Sequence, residues 1–433
     1  MKLKLVLPAL ALCAVAAFAQ TAAPDSTLAA YVQESWQNHP DIQSMRAMIA
    51  AEENRTRMNS AWMNPELRFG LMNVPQSFDT HMDPNTMWQI GLMQQVPFPG
   101  KLSASAQAGT LRTKVAEATV DETRFQMAAM VAMAYYDLAA TLAVRKVLEH
   151  GKELANEMTE AASVMVSTGM GTQSEVMRSR LEAESWNVKL TNNLADISRK
   201  RAALAYALGR DVDSTLANPV LPEGLPPEIA LDSALQRASI DNTPALKRLA
   251  LESGAARADV RRARLDYWPD VTLGLSYGLR GYLRTMSTSE MTGITTNSKI
   301  KQDPMISLEL AAPLPLFYKG NQRAKVRELS AMQSSREAEL AKARLTKEQE
   351  LRDLYARWKQ SVDCCRIEQG KILPQTEDTW RAVLIDYRAG KAPFVSLSEA
   401  RMKVVMAEMD VIMHKADGWA VYRQWQAALG KGL

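Results

Sequence analysis

The chain has 433 residues, with 52 Lys and Arg against 48 Asp and Glu and a formal net charge of +4 at pH 7. That near balance argues against a nucleic-acid binder, which would carry a basic face. Catalytic signatures are missing: no H-E-x-x-H, G-x-S-x-G or P-loop occurs, and His39, His81, His150 and His414 are too scattered for metal-ligand spacing, so neither an enzyme activity nor a cofactor is expected.

Residues 1–19 read as a secretory signal. Lys2 and Lys4 precede the apolar stretch from Leu5 to Phe18, and Ala17-Phe18-Ala19 is a small-x-small cleavage site. Cys13 lies inside the apolar run with Leu12 before it, which argues against lipidation. Removing Lys2 and Lys4 leaves 50 basic against 48 acidic residues, a net of +2. No later stretch is continuously apolar for about 18 residues, so no transmembrane helix is expected. Cys364 and Cys365 remain; on a helix neighbours point about 100° apart, a bond between them would be strained, and they read as small packing residues.

Residues 26 to 62 read as a helix, with Ser26 or Thr27 as its cap. Pro65 opens a strand in which Leu67, Phe69 and Leu71 alternate with Arg68, Gly70 and Met72. After a polar turn over 74–85, Trp88, Ile90 and Leu92 alternate with Gln89, Gly91 and Met93, completing a hairpin over 65–96. From Lys101 to about Ser167 there is no proline and almost no glycine, which predicts a helix about 100 Å long at ~1.5 Å per residue. Leu111, Ala118, Phe125, Ala132 and Ala139 form one sevenfold row, and Val115, Ala129, Tyr136 and Ala143 another, broken by Glu122. Gly169 and Gly171 interrupt this seam, residues 172–208 return beside it, and 209–227 form a proline-rich connector.

The second half repeats the plan. A helix over 228–266 precedes a strand with Val271, Leu273, Leu275, Tyr277 and Leu279 on one face. Residues 281–302 read as a Ser/Thr-rich loop, and Ile306, Leu308 and Leu310 mark the return of a hairpin over 269–312. A second long helix runs from 320 to about Tyr387, Gly390 and Pro393 break it, and the chain returns over 394–428. Landmarks recur at one offset: 244 − 40, 269 − 65 and 274 − 70 all equal 204. The mature chain therefore divides into two repeats, 20–227 and 228–433.

Four strands of about ten residues suit a tilted span of an outer membrane. A charge facing lipid near the midplane costs about 2–4 kcal/mol, so the polar face bearing Arg68, Gln89, Arg280 and Glu309 should line water. Four strands cannot close a barrel, and the smallest barrels have about eight. Strands must therefore be pooled between copies, while helices too long for a compact domain cross the periplasm as a coiled-coil tube.

The chain resembles the TolC-type outer-membrane efflux proteins over essentially all of residues 26–428. The resemblance rests on the duplicated Asn-x-Pro helix followed by a Pro-led strand, on Gln95-Val96-Pro97-Phe98-Pro99-Gly100-Lys101, and on two helical tips. It implies a mainly α protein with a membrane β-barrel portion: a homotrimer with a twelve-stranded barrel in outer-membrane lipid above a long α-helical barrel. It also implies the exit duct of a tripartite pump, partnered by a periplasmic adaptor and an inner-membrane transporter of RND or ABC type. The tips Gly169-Met170-Gly171 and Gly390-Lys391 match segments that face the adaptor. A family gate acid falls on Glu175 and its tyrosine partner on Tyr387; a gate arginine falls on Ala392 and is missing. The family's acidic constriction positions fall on Ser396 and Glu399, so one acid is kept.

Two alternatives accompany this reading: a type I protein secretion duct, and a periplasmic coiled-coil scaffold without a channel. Cargo is open between small organic toxicants and metal ions. The 24 methionines, among them Met82, Met87 and Met93 near the first hairpin, suit soft metals, but they also fill helix seams and show no M-x-M cluster.

Overall fold

A computed structural model describes residues 24–169, 171–211, 215–288, 293–314 and 316–432. The expected signal segment lies outside them, as do Met170 and Pro315.

The first expected helix is two. Helix α1 (Pro24–Asn38) contains Ser26 and Thr27 within its first turn rather than as caps, and α2 (Pro40–Ser60) restarts at once. A residue before proline is pushed out of the α region. His39 accordingly sits at φ −65°, ψ 129°, and its Nδ1 accepts the Asp41 N–H at 3.2 Å to cap α2. Strands β1 (Glu66–Met72) and β2 (Met87–Val96) follow, then α3 (Lys101–Ser167), whose 67 residues reach about 100 Å at 1.5 Å per residue. Helix α4 (Gln173–Leu208) runs back along it.

The expected helix over 228–266 is three pieces: α5 (Leu231–Leu235), α6 (Arg237–Asp241) and α7 (Pro244–Leu265). Gln236 and Thr243 are extended, the latter again before proline. Strand β3 (Val271–Arg280) comes next, and the expected Ser/Thr-rich loop is instead a ribbon of β4 (Tyr282–Thr288) and β5 (Thr295–Lys301). Strand β6 (Met305–Ala311) closes the group. Residue numbers of paired partners sum to 583 in β3–β6 (Thr272 with Ala311) and in β4–β5 (Tyr282 with Lys301). One register therefore runs through both, and the ribbon prolongs the β3–β6 hairpin. Its pairs mix Tyr282 with Lys301, Leu283 with Ile300 and Thr285 with Ser298, aromatic, β-branched and polar residues that suit a ribbon exposed on both faces.

The second long helix also has a break. Helix α8 (Gln322–Ile367) passes through a π-helical turn (Glu368–Ile372) into α9 (Leu373–Arg388), and α10 (Phe394–Ala428) returns. Pro374 enters α9 at its first turn, where it removes one backbone donor, and the wider turn before it absorbs the defect.

Helix α3 is the spine. Near the strands it lies against α2 and α7; farther down, against α4 and α10. One 18-residue stretch of α3 is long and apolar enough to cross a membrane by length and composition, yet 56% of it is buried in this packing. Its buried face (Met127, Val131, Tyr135, Tyr136, Leu138) is broader than a two-row seam because several helices cover it. Gly109 and Gly151 set the spacing: a methyl at Gly109 would meet Thr56 of α2 within 2.9 Å, and one at Gly151 the Trp186 ring of α4 at 2.6 Å. Glu122, the break in the seam, pairs with Arg248 of α7 at 2.6 Å, and Arg112 pairs with Asp259 at 2.5 Å.

Strands β1, β2, β3 and β6 form one antiparallel sheet in that order. The two inner strands have ten residues, as expected, but β1 and β6 have seven. Rows across the sheet sort by face. Leu67–Leu92–Leu275–Leu308 and Phe69–Ile90–Tyr277–Ile306 lie on one face, while Glu66–Met93–Gly274–Glu309 and Arg68–Gly91–Ser276–Ser307 lie on the other.

Candidate conduit and gate

The residues expected on a wet wall share one face of the sheet. Arg68 sits opposite Gly91, Gln89 between Gly70 and Gly278, Arg280 opposite Met87, and Glu309 opposite Gly274. Glycines opposite long polar side chains leave them room to lie along the wall. Three of the four have a local partner: Arg68 lies 3.6 Å from Glu66, Gln89 donates to Ser276 Oγ, and Arg280 Nε donates to the Asp303 carbonyl at 2.7 Å. Glu309 is exposed beside Gly274. The opposite face is dominated by hydrocarbon, with Leu308 85% and Leu67 71% exposed. Phe69 and Trp88 stack there at 5.4 Å.

A polar node ties the sheet to the helices. The Asp270 carboxylate accepts from Lys101 Nζ at 2.8 Å, from the Phe98 N–H at 2.9 Å and from Gln95 Nε2 at 3.3 Å. Burial alone would raise its pKa, but the bonds from Lys101 and the Phe98 N–H prevail and hold it below the usual carboxylate range. Phe98 stacks on Trp268 at 5.2 Å beside the node. Asp270 is the counterpart of Glu66, 270 − 66 = 204, but only Asp270 bridges the two halves. The sequence signal was the acid after each Pro; which acid acquires partners is a tertiary matter.

At the far end the two helical turns are built alike. Gly169 and Gly390 have φ +76° and +71°, and nothing lies within 4 Å of where their side chains would be. In the second turn the Gly390 N–H donates to the Tyr387 carbonyl and the Lys391 N–H to the Asp386 carbonyl, at 3.0 and 2.8 Å, closing a Schellman motif. In the first, the Gly169 N–H donates to Val166 and the Gly171 N–H to Met165. Lys391 is exposed. Met170 lies outside the described residues.

Glu175 is first a helix cap. Its Oε2 accepts the Thr172 N–H at 3.0 Å in a capping box at the start of α4. Tyr387 is 7% exposed and packs edge-on against Phe394, with Leu397 and Met165 around it. Burial raises its pKa, and the nearby Glu175 carboxylate raises it further. The two expected gate residues thus lie within electrostatic reach, without a hydrogen bond between them. Ser396 is half-buried in the first turn of α10, and Glu399 is exposed one turn on, in an outward row with Val395, Lys403, Met406 and Asp410. Where Ala392 lacks the gate arginine, Arg401 stands higher on α10. Only 8% exposed, it lies over Trp380 at 5.3 Å with Nε and Nη2 unpartnered. Burial pulls its pKa down while Glu408 and Glu377 oppose that. No motif marked Arg401 in the sequence; it is one cation among many on a helical repeat.

Among the described residues no group of three or more His, Cys, Asp or Glu side chains is placed to hold a metal ion. Cys364 and Cys365 are unbonded, and burial raises the Cys365 thiol pKa.

Comparison with known proteins agrees with this geometry. The description "outer membrane efflux protein" matches residues 31–210 and 235–430. The cobalt-zinc-cadmium resistance protein CzcC of Cupriavidus metallidurans is 23% identical over 320 residues, 72% of this chain and 69% of that protein. The nickel-cobalt-cadmium resistance protein NccC of Alcaligenes xylosoxydans xylosoxydans is 23% identical over 275 residues, and the match spans 61% of this chain and 59% of NccC. Among solved structures, VceC of Vibrio cholerae superposes with a TM-score of 0.76 at 16% identity, covering 94% of this chain and 97% of VceC. CusC gives 0.74 at 14% identity, covering 94% and 92%. These likenesses show the fold, and the two matched segments show the family, which is one of transport channels rather than enzymes. The chain belongs to the outer membrane efflux protein family.

Proposed function

We propose that this protein is the outer-membrane duct of a tripartite efflux system, through which cargo passes passively to the exterior while an inner-membrane pump supplies the energy. The sheet carries the reading. It is apolar on one face and polar on the other, and both edge strands are unpaired. In lipid, each unpaired backbone group costs several kcal/mol. Because β1 and β6 run in opposite directions, β6 of one copy can pair antiparallel with β1 of the next. Three copies supply twelve strands. Exposed Leu181 and Val188 on α4, and Ile367 and Ile385 on α8 and α9, offer apolar seams between neighbouring copies below.

In this reading the turns at Gly169, Gly171, Gly390 and Lys391 meet the periplasmic adaptor, which links the duct to an inner-membrane transporter of RND or ABC type. Glu175 and Tyr387 hold the tip closed, and Ser396 with a threefold Glu399 lines the constriction as a cation-attracting ring. The names of the two relatives, which specify resistance to nickel, cobalt, zinc and cadmium, favour divalent metal cations as cargo.

The test is purification and deletion together. The protein should require detergent for extraction, run as a trimer by light scattering and conduct in planar bilayers. Its deletion should sensitise cells to cobalt, nickel, zinc or cadmium in a panel that also holds dyes, antibiotics and secreted proteins. A chain that washes off with carbonate as a monomer would defeat the duct; a secretion defect alone would move the cargo to proteins.

A further inference from the structure

The methionines of the sheet are sorted by face. On the apolar face every apolar side chain is Leu, Ile, Val, Phe, Tyr or Trp and none is Met, with Gln94 near the end of β2 the one amide. On the polar face every apolar side chain larger than alanine is a methionine: Met72, Met87, Met93 and Met305. Used only as flexible filler, methionine would serve lipid-facing positions equally well. What separates it from leucine is the thioether lone pair.

Three of these thioethers fall in one band. Met72 pairs with Met87, Met87 with Arg280, and Met305 with Gly278 one row below. The Met87 side chain leans across that row: its Sδ occupies the place a side-chain carbon on Gly278 would take, and the neighbour of Gly278 across the ladder is Met305. Glycine at 278 is thus what lets the sulfur lie over β3 toward β6. Met72 is 46% and Met305 39% exposed, and they sit on the two edge strands.

We propose that Met87 and Met305, with Met72 beside Met87 on the edge strand, form a band of thioethers on the lumen wall for soft monovalent metal cations of the Cu(I) type. This rests on the duct reading, in which the polar face looks into the pore. Thioethers select soft cations over Zn, Co and Ni, which prefer nitrogen and oxygen. They carry no proton in the working pH range, so occupancy is insensitive to acid, unlike a site built on carboxylate or imidazole. Neutral donors on an open wall hold the ion weakly enough for release, as conduction requires.

Ag(I) serves as a redox-inert probe, titrated calorimetrically in chloride-free buffer into the detergent-solubilised trimer. The background carries Cys364→Ser and Cys365→Ser, which removes the competing thiols. The expected result is Ag(I) binding that persists from pH 7 to pH 5, weakens about tenfold or more in Met72→Leu/Met87→Leu/Met305→Leu, and is unmoved by Met48→Leu/Met58→Leu/Met406→Leu on the helices. Silver-edge X-ray absorption on the parent protein should show sulfur neighbours, a readout that does not depend on the variant folding. Equal binding in both triple variants, binding lost by pH 5, or oxygen-only coordination would overturn the site. A parent protein that fails to trimerise or conduct would instead remove the duct reading beneath it.

Discussion

Asp270 shows how one carboxylate locks two halves of a chain. Its partners Lys101, the Phe98 N–H and Gln95 lie about 170 residues away in sequence yet define where the sheet ends and α3 begins. Asp270→Asn keeps the shape and removes the charge, and should cost about 1–2 kcal/mol in thermal unfolding at pH 7. The folded pKa of Asp270 is depressed. Its stabilisation is therefore fully present above the unfolded carboxylate range, near about pH 4, and is lost as pH falls through the folded value. The gap in Tm between wild type and Asp270→Asn should accordingly close on acidification; a gap constant with pH would remove the charge from the account. At the tip, Glu175→Gln preserves an acceptor for the capping box and so removes mainly the charge facing Tyr387. Combined with Tyr387→Phe it should raise single-channel conductance while the trimer persists, and unchanged conductance would take both residues out of the gate.

At the scale of elements, closeness between helices is set by missing side chains. Gly151→Ala would drive a methyl into the Trp186 ring, which is 2% exposed, and should destabilise by about 1–3 kcal/mol. Trp186→Leu in the same chain should recover part of the loss, measurable as a coupling in a double-mutant cycle. The tip turns call for a different comparison. Gly390→Asn tolerates the left-handed backbone and adds bulk alone, whereas Gly390→Val adds bulk and a strain of about 1–2 kcal/mol. If the turn docks an adaptor, both should abolish export with the trimer intact; normal export with Asn would end that assignment. The bounds of α3 and the termination of helices at Gly169, Gly209 and Gly390 were legible because both are local: an unbroken run without proline, then a glycine at positive φ. The breaks at His39 and Thr243 were signalled by the following prolines, yet an apolar pattern continuing across them read as one helix. Pro374 signalled a defect in the second long helix, but that a π turn absorbs it depends on how α8 and α9 pack against α10.

For the whole molecule, neighbouring residues of β6 should behave oppositely. Leu308→Arg puts a charge on the face that would meet lipid, at about 2–4 kcal/mol near the midplane, and should deplete the trimer from outer-membrane fractions. Glu309→Gln, one residue on, should leave assembly intact and shift the cation selectivity of the pore in reversal-potential measurements. If both variants assemble alike, the face assignment is wrong. By itself the sequence determined the two-faced strands and the length of the long helices, because periods of 2 and 3.6 residues are properties of any chain. Only the tertiary structure decided which residues meet. It extended β3 and β6 into a ribbon, chose Asp270 over Glu66 as the bridging acid, placed Glu175 beside Tyr387, and gathered Met72, Met87 and Met305 into one band. Pairing register and helix contact join residues far apart in sequence, and no local pattern encodes their partners.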